Sequence, residues 1–309
     1  EAMAMMRRIC KKDNLSFFID NDCLPQTIAV IKTRANALGI KIQIGDPFTE
    51  LNPSDNFGIL LQYPGVNGAI HDFTSLVEEI HKARGLVAVA ADPLSLVLLR
   101  PPGEWGADIV LGNTQRFGVP LAFGGPHAAY IATREKYKRA LPGRIIGVSV
   151  DRLGRHAFRM ALQTREQHIR RHKATSNICS NQTLIALMGS MHMALLGPTG
   201  LERLALRNAA SCQVARKGVL SLKGVELLYP NSSSYNEFTV VLPGSAKSAL
   251  SHLDSLGVTG GLALEDTTLQ ASEKWLHITA TDQTTEDDVV ALVEGLKSWI
   301  SSFVQEVES

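Results

Sequence analysis

RPPGEWGADIVLGNTQRFGVPLAFGGPH, residues 100–127, runs from a proline turn through a short apolar strand into a glycine-rich loop. Gln115 stands in that loop, just before Arg116 and Phe117. Upstream, Asp92 ends another apolar strand and stands before Pro93.

Outward from this stretch, short apolar runs alternate with helical patterns. Strands are expected at 17–19, 41–44, 58–62, 86–90, 108–111 and 128–133, short and mainly apolar, as in strands buried on both faces of a parallel sheet. Between the first two, Pro25 suits a first helical turn and Gly39 a stop. A long helical region over 181–220 carries Gly197, Pro198 and Gly200. The pattern then changes to strands at 225–229, 237–242, 261–265 and 275–279, with helices between them. One of these helices ends at Gly257, and another opens at Thr284 or Thr285 with Asp287 or Asp288 placed for a capping box. The expected fold is α/β, with a mostly parallel sheet in a large domain over 1–222 and a small α+β domain over 223–309.

Composition bounds the partners. Thirty-one Lys and Arg stand against thirty Asp and Glu, a net charge of +1, so no overall field favours nucleic acid or an anionic membrane. Continuous apolar runs fall short of the roughly 18–20 residues of a membrane span. The four cysteines, Cys10, Cys23, Cys179 and Cys212, show neither a disulfide pattern nor metal-ligand spacing, which suits a reducing cytoplasm. The opening EAMAMMRRIC reads as the inside of an amphipathic helix, so an abbreviated start is expected.

Asp92 at a strand end, followed after the next strand by position 115, resembles the large domain of fold type I pyridoxal-phosphate enzymes. In these a strand-end Asp pairs with the pyridine nitrogen and a Lys forms the Schiff base. The stretches QTIAVIKTRA, LRPPGEWGADIVLG, QRFGVPLAFGGPHAAY, LPGRIIGVSVD and LQTREQHIRRHKATSNIC closely resemble glycine dehydrogenase (decarboxylating), the P-protein of the glycine cleavage system, over nearly the whole chain. That family consists of two similar halves, fused or separate, and only the second carries the cofactor Lys. The resemblance places this chain with the first half, or subunit 1. Gln115 stands at the Lys position, before Arg116 and Phe117, and Cys23 near that of the His that stacks on the cofactor ring.

The resemblance implies a chain that is silent alone. Pyridoxal phosphate would sit on glycine dehydrogenase subunit 2, in a heterotetramer. Glycine would be decarboxylated and its aminomethyl group passed to the lipoyl group of the H-protein. An enzyme using a Lys elsewhere, and a scaffold without catalysis, are the competing readings. Asp92 is then either a remnant pyridine partner or a cap for the Pro93 turn, and Gln115 fills a collapsed pocket or does nothing. His127, in the GGPH turn, lies at a tight turn, an anion cradle or a subunit interface. Arg165, Arg170 and Arg171 hold an anion, form ion pairs or meet a partner. Thr175, Ser176, Asn177 and Asn181 reach a neighbouring active site or cap the following helix. No metal site is expected, since His168 and His172 lack a third ligand, and Trp105, Trp275 and Trp299 read as packing residues.

Overall fold

The computed structural model describes residues 1–10, 16–143, 145–162, 167–171, 182–264 and 272–308. The first half of the chain builds a six-stranded sheet in the order β2 (Ile42–Gly45), β1 (Ser16–Asp20), β3 (Asn56–Tyr63), β4 (Leu86–Ala91), β5 (Ile109–Asn113) and β6 (Ala129–Thr133). The first five are parallel, and β6 closes the edge antiparallel to β5. β1 and β4 are buried at every position, the expected fate of all-apolar strands covered on both faces.

One face is covered by α1 (Ala2–Ile9) and α2 (Pro25–Leu38), where Met5, Met6, Phe17, Ile19 and Phe57 share a core. Pro25 opens α2, and Gly39 closes it in the left-handed conformation at φ 63°, which a glycine adopts without steric cost. On the other face α3 (Thr74–Lys82) packs with Leu61, Phe73, Val89 and Trp105. Buried Asp108 ties this layer to the sheet by accepting from the Val87 amide at 3.0 Å and meeting His81 Nε2 at 2.8 Å.

Between the sheets lies a hairpin that sequence patterning did not single out, β7 (Ile146–Val150) and β8 (His156–Met160), followed by the short α4 (Gln167–Arg170). α5 (Thr183–Leu220) then leads into β9 (Glu226–Leu227), β10 (Glu237–Val241), α6 (Ala246–Ser255), β11 (Leu262–Ala263), β12 (Trp275–Thr279) and α7 (Glu286–Glu308). The four strands form an antiparallel sheet in the order β11-β12-β10-β9. The end of α5, α6 and α7 bury Cys212, Val219, Leu253, Leu296 and Trp299 against it. α7 opens on a capping box: the Asp288 amide donates to Thr285 Oγ1 at 3.2 Å, and the Thr285 amide donates to Asp288 Oδ2 at 2.8 Å.

By length and composition α5 is apolar enough to cross a membrane, a property that counting uninterrupted apolar residues overlooked. Gly197, at φ 62° and ψ −177°, breaks its helical path before Pro198. The apolar piece before the break, 183–196, is roughly 20 Å long at ~1.5 Å per residue, against the ~30 Å of a bilayer core.

Candidate functional site

The carboxyl edge of the parallel sheet is where open α/β sheets hold ligands. β4 delivers Asp92 there, and the loop after β5 delivers Gln115 and Arg116. The turn after Asp92 is fixed by its own carboxylate, since Asp92 Oδ1 accepts the Leu94 amide at 3.0 Å. The other oxygen, Oδ2, faces Arg116 Nη2 at 3.1 Å, and both side chains are mostly buried. Burial pushes the Asp92 carboxyl above its ordinary value, and the Arg116 charge opposes this. Arg116 was named in the sequence only as the residue after position 115. The signal was a cation in a loop facing a strand-end acid, but sequence alone does not give the direction of its side chain.

Gln115 is bonded within its own loop: Nε2 donates to the Val119 carbonyl at 2.8 Å, and its backbone amide donates to Asn113 Oδ1 at 3.0 Å. Gly118, at φ 77°, lets the loop lie against α5: a Cβ there would sit 2.8 Å from His192 Nδ1. Over the site, Tyr235 is buried in a cluster with Leu94 and Phe117, and its hydroxyl has no hydrogen-bond partner. Its phenol is pushed up by burial and by the Asp92 charge. Glu237 lies nearby and is held below its ordinary value: burial works against its charge, but the hydrogen bond and charge of His277, with Arg116 beyond, outweigh it.

A covalently held pyridoxal phosphate needs an amine at the loop and a free carboxylate for the pyridine nitrogen. Here the first is an amide and the second is paired with a guanidinium, so the residues present do not fit that group. A cavity of about 800 Å³ does exist, between Leu24, Pro25 and Val66 beside the six-stranded sheet and Glu237, Gly261 and His277 beside the four-stranded one. Neither Asp92 nor Gln115 lines it.

Cys23 is brought to the same edge but sits in the core, its Sγ 3.7 Å from the Leu60 carbonyl oxygen. Burial, then the charges of Asp20 and Asp22, push its thiol up. His127 is exposed, in a loop with exposed Leu121 and Phe123, and is not gathered with Asp92. Arg165, Thr175, Ser176, Asn177 and Asn181 lie outside the described residues. Among the described residues no cluster of His, Cys, Asp or Glu has metal-binding geometry.

Comparison with known proteins accords with this arrangement. Residues 1–296 match the family model described as glycine cleavage system P-protein. A glycine dehydrogenase (decarboxylating) of Allorhizobium ampelinum is 55% identical over 228 residues, which are 74% of this chain and 23% of that protein. The chain thus spans about a quarter of the length of the curated relatives it matches. The crystal structure of a glycine decarboxylase (P-protein) of the glycine cleavage system, in inhibitor-bound form, superposes with a TM-score of 0.87 at 34% identity. It covers 96% of this chain and 68% of its own. A NifS-like protein, at 13% identity and a TM-score of 0.65 over 97% of this chain and 79% of its own, shares the fold alone, that of fold type I enzymes. With a family model matched along almost its whole length and a solved member superposing on nearly all of it, this chain belongs to the glycine cleavage system P-protein family.

Proposed function

We propose that this chain is the cofactor-free half of glycine dehydrogenase (decarboxylating). In this reading it pairs with a homologous half, subunit 2, that carries the Lys and the pyridoxal phosphate. The assembled cytoplasmic enzyme decarboxylates glycine and passes the aminomethyl group to the lipoyl group of the H-protein. The observation that carries the reading is the pairing of Arg116 with Asp92 beside a self-bonded Gln115. These leave neither an amine to hold the cofactor nor a carboxylate to tune it.

The need for a partner is supported by the β7–β8 hairpin. Its register pairs Ile146 with Met160 and Val148 with Phe158, so these side chains share one face, and all four are exposed. An apolar face of this kind marks a binding surface. In this reading the hairpin face receives the cofactor-bearing half.

The test is reconstitution. Mixed with a Lys-bearing second half and lipoyl H-protein, the chain should restore release of carbon dioxide from glycine, and Val148→Asp with Phe158→Asp should abolish complex formation. Release by the second half alone, unchanged on adding this chain, would refute the reading.

A further inference from the structure

Along the same sheet edge, at the end of β1, lie two carboxylates that the site above does not use. Asp20 and Asp22 are 2% and 9% exposed, and among the described residues neither forms an ion pair. Asp20 Oδ1 accepts the Asp22 amide at 2.9 Å. Asp22 Oδ1 in turn accepts both donors of Asn67, the backbone amide at 3.2 Å and Nδ2 at 2.9 Å.

Asn67 belongs to the loop after β3, yet its other bonds go to the small domain. Nδ2 lies 3.3 Å from Tyr229 Oη, and its carbonyl accepts from the Thr239 hydroxyl at 3.0 Å. Thr239 Oγ1 also meets His277 Nδ1 at 3.0 Å, across the β10–β12 pairing. Two glycines let the loop enter so closely. A Cβ at Gly65 would stand 1.6 Å from Asp22 Oδ2, and one at Gly68 would stand 2.3 Å from the Glu237 carbonyl oxygen.

We propose that Asn67 pins the small domain to the large one, and that loss of the proton retained by the enclosed, cation-free Asp20–Asp22 pair loosens this pin. The groups acting with Asp22 are the Asp20 carboxylate, the Cys23 thiol and the Tyr229 phenol, and Asp46 acts in turn on Asp20. None is a cation, and two enclosed carboxylates without one cannot both carry charge cheaply. Burial raises Asp20 to about 6. Burial, then the charge of Asp20, raises Asp22 to about 8.

The sign follows from linkage. The joined state keeps its proton, while the opened state, with the carboxyl in water, gives it up near the ordinary carboxylate value. Joining is therefore strongest at low pH. It weakens by up to about tenfold per pH unit for each group, until the raised value is passed. Release of the pin would lift Tyr235 and Glu237 from above Asp92 and Arg116.

Hydrogen exchange of the full chain, measured from about pH 5.5 to about pH 9 and corrected for intrinsic rates, reads the pin at peptides covering 64–70 and 226–241. In the wild type, protection should fall as pH rises and level off near 8. In Asp22→Asn the curve should level off near 6, with only Asp20 left to titrate. Asp20→Asn, the second variant, should move the wild-type plateau to lower pH. Protection that does not change with pH in the wild type, or an Asp22→Asn or Asp20→Asn curve that overlays it, would overturn the proposal.

Discussion

Two buried acids at one sheet edge are handled in opposite ways. Asp92 is met by the Arg116 guanidinium at 3.1 Å, whereas Asp20 and Asp22, two strands away along the same edge, form no ion pair among the described residues and are raised to about 6 and about 8. The charge of the first acid is supported by a cation from the loop after β5. The second pair solves the same desolvation problem by keeping a proton. An acid paired with a guanidinium keeps its contact without a proton, while a contact closed by a retained proton depends on pH.

The largest effect that would break this contrast comes from Arg116→Met. It leaves Asp92 buried without its cation and should cost about 3 kcal/mol near neutral pH, read by urea denaturation. Because Asp92 then ionises only at a penalty, the loss should shrink as pH falls, and Asp92→Leu in the same chain should recover most of it.

A smaller and oppositely directed effect belongs to Asp22. Its folded value is raised, so stability is fully present below the ordinary carboxylate range and is lost as pH climbs toward 8, at up to about 1.4 kcal/mol per unit. Asp22→Asn should therefore gain stability relative to the wild type steadily as pH rises from about 5 to about 8. Equal pH slopes in thermal melts of the two proteins would erase the distinction between the acids.

Gln115→Lys sharpens the comparison from the loop side. Losing the bond to the Val119 carbonyl should cost about 1 kcal/mol. The new amine alone should gain no borohydride-fixed pyridoxal phosphate, because Arg116 still occupies Asp92. Adding Arg116→Thr should allow a reduced adduct to be seen by mass spectrometry. The smallest effect is at the exposed capping box. Hydrogen bonds from Thr285 hold the Asp288 carboxyl below its ordinary value, so this contact weakens on acidification, opposite to Asp22. Thr285→Ala should cost about 1 kcal/mol in calorimetry.

How much of this was legible in the sequence depends on the range of the interaction. β12 and β4 were placed to within a residue, because an all-apolar or alternating run is a local property. The β7–β8 hairpin was not legible, although Ile146, Val148 and Val150 alternate, because its apolar face is exposed and lacks the continuous apolar run of a buried strand. At the site, Asp92 and Gln115 were readable from their positions after strands. The Arg116 pairing was not, because it depends on where a loop side chain turns. Asp22 and Asn67 lie 45 residues apart, and nothing local joins them; the D-N-D at the end of β1 was the one available hint.

The central claim, that this chain holds no cofactor of its own, is tested most directly by adding pyridoxal phosphate to the purified protein, alone and mixed with a Lys-bearing second half, and recording the imine band at roughly 420 nm. The account predicts that the band and its borohydride-reducible adduct belong to the second half only, with none on this chain. A reducible band on this chain alone, one per molecule, would contradict it.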